Sequence, residues 1–395
     1  MTPKAKLAIM LPTTGADSEV WAYRQAVGLS DRFDVAIVVW DRLGTELDRA
    51  YDRFPVLEIG VPWNSNRSVF ERIARRMGVD GIIASGRARR ERGEILRVIG
   101  DLGPDIVLCH FAWTGMRLLS AMHPEFPTVW HVHGRDVGPE LENSSSYARS
   151  FRRLGRRASA LVAVGTQQAG RVERALGSGE PSVHVIPCGV PTRTFARVDR
   201  PVDSEHGLVF LQVGRLSPEK GTVETVEAFA AIADRYPDAT LEFIGHGPSE
   251  SELRQRIDAL GLGDRVILRG SLDTEEVAAC MRRADVLVQN SIPTRNSVEG
   301  FGVTVAEGGC TGLPTIATAV GGLLDQIEDG VNGITVPPKD IDALSRSMDR
   351  LAGDSELRMR LGAQASVMAA RFDADLMVEK LASVLTSLSP QADSI

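Results

Sequence analysis

Two carboxylates, Glu299 and Glu307, stand eight positions apart in the run S-V-E-G-F-G-V-T-V-A-E-G-G-C-T-G-L, residues 297–313. Between them lie Gly300, Phe301 and Gly302, followed at Val303 by a short stretch of helical pattern reaching Cys310. Two glycines let a backbone come close to a ligand, and the first turn of a helix offers unpaired N–H groups to an anion. Glu307, one turn into that helix, would point back toward its N-terminal end, while Glu299 would reach the same place from the loop. Carboxylates accept from hydroxyls and amides donate to phosphate oxygens, so the pattern suits a sugar joined to a phosphate. The alternative is a glycine-rich helix start with two solvated glutamates, and a short motif does not decide between them.

Further groups bear on the same chemistry. The apolar run Leu208–Val213 is followed by Gly214, Arg215, Lys220 and Gly221, and then by a helical pattern that Thr222 could cap. Two cations beside a helix N-terminus make a diphosphate site, with the helix dipole reinforcing both. Gly245 and Gly247 follow the run Leu241–Ile244 in the equivalent place. Without an acidic residue at dinucleotide spacing, that pair points only weakly to NAD. Near the N-terminus, Pro12–Ser18 follows the first apolar run; Gly15 would allow close approach and Ser18 could cap the next helix. His131 and His133, two apart at the end of a strand pattern, resemble half a metal site with no obvious third ligand, so a hydrogen bond to a ligand is the favoured role. The triplets Asp340-Ile-Asp342 and Asp373-Ala-Asp375 resemble the carboxylate pairs that hold a divalent metal in many sugar transferases. Both sit where helices begin, so capping is the better reading, and no metal or other cofactor is expected.

These groups need elements to hold them. Short apolar runs recur through the chain: Lys6–Leu11, Asp34–Trp40, Asp105–Cys109, Thr128–Val132, Ala160–Val164 and His184–Ile186 in the first half. The second half adds Leu208–Val213, Leu241–Ile244, Val266–Arg269, Val286–Gln289, Pro314–Ala317 and Gly333–Val336. Most are continuous rather than alternating, as in strands buried on both faces of a parallel sheet, and helical patterns separate them. Two such arrays in series predict an α/β protein of two doubly wound, Rossmann-like domains, 1–200 and 201–372, with a polar linker at about 191–206. Ligands of such sheets bind beyond the carboxyl ends of the strands, so two domains facing each other would open both crevices into a central cleft.

The chain's 395 residues exceed one ordinary core, and its 43% hydrophobic and 25% charged content is that of a soluble globular protein. A net charge of −7 argues against general nucleic-acid binding. The stretch Arg67–Arg97 nevertheless holds nine arginines against four acidic residues, and Arg149–Arg157 adds five more. Such a basic face would meet an anionic acceptor or the acidic inner face of a membrane; the alternative is an ordinary solvated helix face. Cys109, Cys188, Cys280 and Cys310 show no paired spacing, which suits reduced thiols. With no apolar run long enough for a signal peptide or membrane span, the expected location is cytoplasmic, at most peripheral to a membrane.

The run G-R-L-S-P-E-K-G from Gly214, then G-H-G-P, E-G-F-G-V-T-V-A-E and G-G-L-L-D-Q-I-E-D-G-V-N-G from Gly321, resembles glycosyltransferase family 4. The likeness is strong over about 208–340 and looser in the first half, where H-V-H-G and V-I-P-C-G-V still fit. The resemblance implies the GT-B fold and retaining transfer of a hexose from a nucleotide-sugar, which is a co-substrate, to an acceptor hydroxyl of unknown type. It assigns Arg215 and Lys220, beside Gly214, to the donor diphosphate. Glu299 would bind the donor sugar, helped by the amides of Phe301, Gly302 and Val303 after Gly300, and Glu307 the ribose. Backbone near Ser271 and Leu272 would hold the base, favouring UDP while leaving GDP-mannose and ADP open. His133 and Gly15 would face the donor from the opposite domain, and residues 373–395 would form a closing helix that crosses back to the first domain. Catalysis would fall to Arg215, Lys220, Glu299 and His133. Alternatives are another reaction on the same fold, such as a phosphorylase or nucleotide-sugar epimerase, a non-catalytic partner subunit, or an NAD oxidoreductase. Cys188 in place of the usual asparagine, Gly308-Gly309 within the helix, and the added loop Pro293–Asn296 depart from the family pattern.

Overall fold

The computed structural model describes residues 3–15, 20–62, 80–138, 141–142, 144–177, 179, 181–198, 207–294 and 297–389. Ser18, Arg67 through Arg76, the linker beyond residue 198, and Arg295 and Asn296 lie outside the described residues, as do the side chains of 80–85. The chain divides into two compact units. One comprises 1–164, 168–186 and 377–395; the other comprises 165–167 and 187–376.

The first unit is built on a seven-stranded parallel sheet in the order β3-β2-β1-β4-β5-β6-β7. Its strands are β1 Lys6–Thr14, β2 Asp34–Arg42, β3 Val56–Glu58, β4 Ile106–His110, β5 Thr128–Val132, β6 Ala160–Ala163 and β7 Ser182–Val185. β4, β5 and β6 are buried at every position, which is why their sequences run apolar without alternation. The sequence pattern misses β3, a three-residue edge strand only partly buried and too short to show a period. Helices cover both faces. Ala8, Met10, Val107, Cys109, Trp130 and Leu161 pack into one cluster with the helices Asp80–Leu102 and Ala112–Ala121.

The second unit repeats the plan with six parallel strands in the order β10-β9-β8-β11-β12-β13. These are β8 Val209–Val213, β9 Thr240–Ile244, β10 Val266–Leu268, β11 Val286–Gln289, β12 Thr315–Thr318 and β13 Gly333–Val336, matching the apolar runs of the second half. Its core joins Phe210, Leu241, Phe243, Val286, Val288 and Ile316 to Phe229, Leu253, Met348 and Leu361 on the covering helices.

In each sheet the strand order turns at one place, between β1 and β4 in the first and between β8 and β11 in the second. Loops leaving adjacent strands there run to opposite faces and leave a crevice at the carboxyl ends. The last helix, Ala374–Leu388, contributes its residues from Met377 onward to the first unit. There Val378 packs against Gly28 and Glu379 pairs with Arg32.

Candidate functional site

Most of the singled-out residues fall at the two switch points. In the second unit, the chain leaves β8 through Gly214 and Arg215, makes a 3-10 turn at Pro218–Lys220, and enters the helix Thr222–Ala233. Thr222 does not cap this helix: the N-cap is Gly221 in the left-handed conformation, and Thr222 is its buried first residue. Residues at the end of β11 clamp the turn. Asn290 donates from Nδ2 to the Gly221 carbonyl at 3.0 Å, and the Ile292 amide donates to Glu219 O at 2.9 Å. From β8 itself, Gln212 Nε2 donates to Lys220 O at 2.6 Å.

With its backbone held this way, Lys220 donates from Nζ to Glu299 Oε2 at 2.5 Å. The same oxygen accepts from Ser291 Oγ at 2.7 Å and from Gln289 Nε2 at 3.2 Å. Both partners are largely enclosed, at 24% side-chain exposure for Lys220 and 14% for Glu299. Burial alone would raise the Glu299 pKa, but the Lys220 ammonium and the Ser291 and Gln289 donors outweigh it, holding the carboxyl below its ordinary value and so ionised at neutral pH. Arg215 remains exposed, and among the described residues nothing pairs with its guanidinium.

After Glu299 the chain turns through Gly300 and Phe301 into the helix Val303–Cys310, whose N-cap is Gly302 at φ +80°. That conformation needs glycine, and a Cβ there would also lie 2.5 Å from Leu323 Cδ2. Three contacts brace the turn from behind. Gln326 Nε2 donates to the carbonyls of Phe301 and Gly302, the Gly322 amide donates to Glu299 O at 3.2 Å, and the Phe301 ring packs edge-on against Phe372 at 5.1 Å. With the carbonyls engaged, the amides of Phe301, Gly302 and Val303 have no acceptor among the described residues. This is a row of donors at a helix N-terminus, next to an ion pair. Glu307 is half-buried one turn into the helix, close enough to Cys310 that its charge adds to the burial that pushes that thiol up to about 12. Gly308 and Gly309 have a packing reason: side chains there would meet Leu287 at 2.7 Å and Ala369 at 2.9 Å.

The Gly245–Gly247 pair is explained within the protein. A Cβ at Gly245 would stand 2.1 Å from the Gly214 carbonyl oxygen, and one at Gly247 would stand 2.3 Å from that of Leu216. The two loops are hydrogen-bonded there, Leu216 N to His246 O at 3.0 Å and Ser249 N to Leu216 O at 2.9 Å. The glycines therefore let the β9 loop lie against the backbone that carries Arg215. Beyond it, His246 Nδ1 and Ser271 Oγ share a hydrogen bond of 2.5 Å, with Leu272 alongside.

In the first unit, Gly15 ends β1 at φ +92°, and its carbonyl accepts from Thr45 Oγ1 at 2.8 Å. His131 and His133 do have a third partner. β4 and β5 pair in register with His110 opposite His131, so both side chains leave one face of the sheet, and His133 two residues on joins them. Ring nitrogens of the three lie within 4.8 Å of one another. Where the sequence offers no obvious third ligand, the structure places a third imidazole; it comes from strand register, 21 positions away, and not from a local motif. Asp136 fixes the loop, accepting from the amides of Ala112, His133 and Gly134 at 2.7–3.0 Å.

Asp340 and Asp373 act as helix caps, accepting from Ala343 N at 2.8 Å and Asp375 N at 3.0 Å. Three arginines of the second basic cluster cap helix ends. Arg152 and Arg156 donate to the carbonyls of Ala175 and Leu176, and Arg157 to those of Leu119 and Met122. All four cysteines are buried free thiols. No helix among the described residues is long and apolar enough to cross a membrane.

Comparison with known proteins gives a consistent picture. A family model described as Glycosyltransferase Family 4 matches residues 18–194, and one described as Glycosyl transferases group 1 matches 198–368. An exopolysaccharide phosphotransferase of Streptomyces coelicolor is 32% identical over 237 residues, which cover 59% of this chain and 24% of that protein. A GDP-mannose-dependent alpha-(1-6)-phosphatidylinositol monomannoside mannosyltransferase of Mycolicibacterium smegmatis is 28% identical over 246 residues, 59% of this chain and 63% of that one. Among solved structures, Anabaena HepE in complex with UDP superimposes with a TM-score of 0.76 at 20% identity, covering 97% of this chain and 100% of that chain. The chain spans less than two thirds of the length of the first curated relatives it matches.

Proposed function

The chain belongs to glycosyltransferase family 4, with the GT-B fold, and on that premise we propose that it moves a hexose from a nucleoside-diphosphate sugar to an acceptor hydroxyl with the anomeric configuration retained. One observation carries the reading: Lys220, Glu299 and the unengaged amides of residues 301–303 converge at a single switch point. A diphosphate would take the cations and amides. Sugar hydroxyls would take the Glu299 carboxylate, which its depressed pKa keeps charged.

During transfer the bond from the anomeric carbon to the phosphate oxygen breaks, and negative charge collects on the diphosphate. Lys220, Arg215 and the amides oppose that charge, and each such preorganised donor is worth roughly 3 kcal/mol of barrier. The acceptor oxygen bonds to the same carbon from the same face while its proton passes to the departing phosphate oxygen. No protein nucleophile is required; Glu299 positions the sugar. Because these donors can carry the leaving group's charge, we take the chemistry to be independent of a metal cofactor. His133 and Gly15 keep the donor-side roles, Glu307 the ribose role, and the backbone at Ser271 and Leu272 the base-binding role, that the family pattern gives them.

UDP is the proposed nucleoside diphosphate of the donor, supported by the UDP in the HepE structure; the mannosyltransferase relative makes GDP-mannose the competitor. Exposed Arg89, Arg90, Arg149 and Arg153 are the cations that would meet an anionic acceptor or membrane surface, and co-sedimentation with anionic vesicles tests them. The principal test is thermal stabilisation by UDP, GDP, ADP and NAD, followed by NMR of the anomeric proton in the product. Stabilisation by one nucleoside diphosphate and a product of retained configuration are expected. A response to NAD alone, or to none, would overturn the reading, and binding without any transfer would identify a non-catalytic subunit.

A further inference from the structure

The histidine cluster has properties that hydrogen bonding within the protein does not account for. His110 and His131 are fully buried, and His133 is half-buried. His110 Nδ1 and His133 Nε2 share a hydrogen bond of 3.2 Å. His110 Nε2 lacks a hydrogen-bond partner and the His131 ring has only a weak contact with the Ile186 backbone, although buried polar atoms are ordinarily satisfied. Trp21 lies across the cluster, its ring centroid 4.1 Å from that of His133 and 5.2 Å from that of His110. Burial pushes the His131 pKa down to about 4, and that of His110 well below its ordinary value.

We propose that His110, His131 and His133 form a binding site for one divalent first-row transition ion, with zinc the best match. Three imidazoles and an open fourth position are a recurring zinc ligand set, with zinc–nitrogen bonds of about 2.0–2.1 Å. Two tetrahedral ligands at that length lie about 3.3 Å apart, close to the 3.2 Å already separating His110 and His133. The widest separation in the cluster, 4.8 Å, then needs a closure of about 1.5 Å, within reach of a ring rotation. Adjacent strands supply two ligands in register, and Asp136 holds the His133 backbone, the kind of support that orients metal ligands. The assignment shares His133 with the transferase reading, but its test reads metal binding alone, and the cations and amides given to the diphosphate all belong to the other unit.

The test uses the full chain, stripped with a chelator and titrated with zinc by calorimetry and with cobalt by visible absorption. One equivalent of zinc bound below about 10 µM is expected, together with the intense visible bands of four-coordinate cobalt. His110→Gln and His131→Gln should each weaken binding at least about 100-fold, while His184→Ala and His246→Ala should leave it unchanged. Should either glutamine variant fail to fold by circular dichroism, X-ray absorption of the zinc-loaded wild-type chain decides by counting imidazole ligands. Absence of stoichiometric binding, unaltered binding in the glutamine variants, or a first shell with fewer than three imidazoles would each overturn the proposal.

Discussion

Replacing Glu299 with glutamine should remove the charge that holds Lys220 while keeping the side chain's size and one accepting oxygen. Hydrogen bonds to charged groups contribute about 1.5–3 kcal/mol, and breaking a fully buried pair costs about 3–5 kcal/mol. With Lys220 at 24% exposure the pair is not fully buried, so Glu299→Gln should destabilise by about 2 kcal/mol. Lys220→Met leaves a carboxylate at 14% exposure with its Ser291 and Gln289 donors but without the Lys220 charge, and about 3 kcal/mol is expected. If the pair is a unit, the double variant should fall short of the sum by about 1.5–2 kcal/mol.

The readout must come from the right unit. Every tryptophan lies at or before residue 130, so tryptophan emission reports only the first unit. Far-UV circular dichroism in urea, with hydrogen exchange followed over 209–233 and 286–310, reports the second. The pH dependence has a fixed sign. A depressed carboxyl pKa contributes stability fully above the unfolded-state value, near 4.5, and loses it as pH falls through the folded value. The gap between wild type and Glu299→Gln should therefore be full at pH 7 and close below about pH 4.5. Additive single-variant effects, within about 0.5 kcal/mol, would refute the coupling, and a gap that widened in acid would refute the charge assignment.

Gly302→Ala should cost about 2 kcal/mol or more, since it meets both the left-handed backbone and Leu323, and should weaken nucleoside-diphosphate binding measured by calorimetry. Glu242 is 5% exposed and accepts from Arg269 at 2.5 and 2.8 Å and from Arg283 at 3.3 Å. Burial would raise its pKa, but Arg269 and Arg283 together depress it, so Glu242→Gln should cost about 2–3 kcal/mol at pH 7, with the penalty fading as pH falls below about 4.5 in urea titrations at both ends. The thiols of Cys109, Cys188 and Cys310 are raised to about 12, chiefly by burial, so a disulfide reagent at pH 8 should react negligibly with them until denaturant is added; prompt native labelling would contradict their burial.

The sheets were legible because strands buried on both faces carry a continuous apolar signal, and all six runs of the second half became strands. The glycine turn before Val303 and the cations after β8 could be read locally, since each stands at a strand end or a helix start. Relations made by register and long-range packing could not. Lys220 and Glu299 are 79 positions apart, and Ser291 and Gln289 look like ordinary polar residues until the end of β11 brings them to that carboxylate. His110 escaped notice because its neighbour across β4 and β5 is set by sheet pairing. Among the arginines of 149–157, three satisfy carbonyls at helix ends, a role that their charge alone does not announce.

The Lys220–Glu299 pair has a consequence for selectivity among anions. A free phosphate or sulfate that takes the ammonium leaves the carboxylate enclosed without its counter-charge, so part of what it gains is lost at once. A ligand that brings hydroxyls together with a diphosphate satisfies both members of the pair. The pair would then act as a coincidence gate, answering weakly to either half of a nucleotide-sugar and strongly to the two joined. Affinity for the intact donor should exceed what UDP and free hexose show separately by more than simple linkage predicts, and Glu299→Gln should erase the excess.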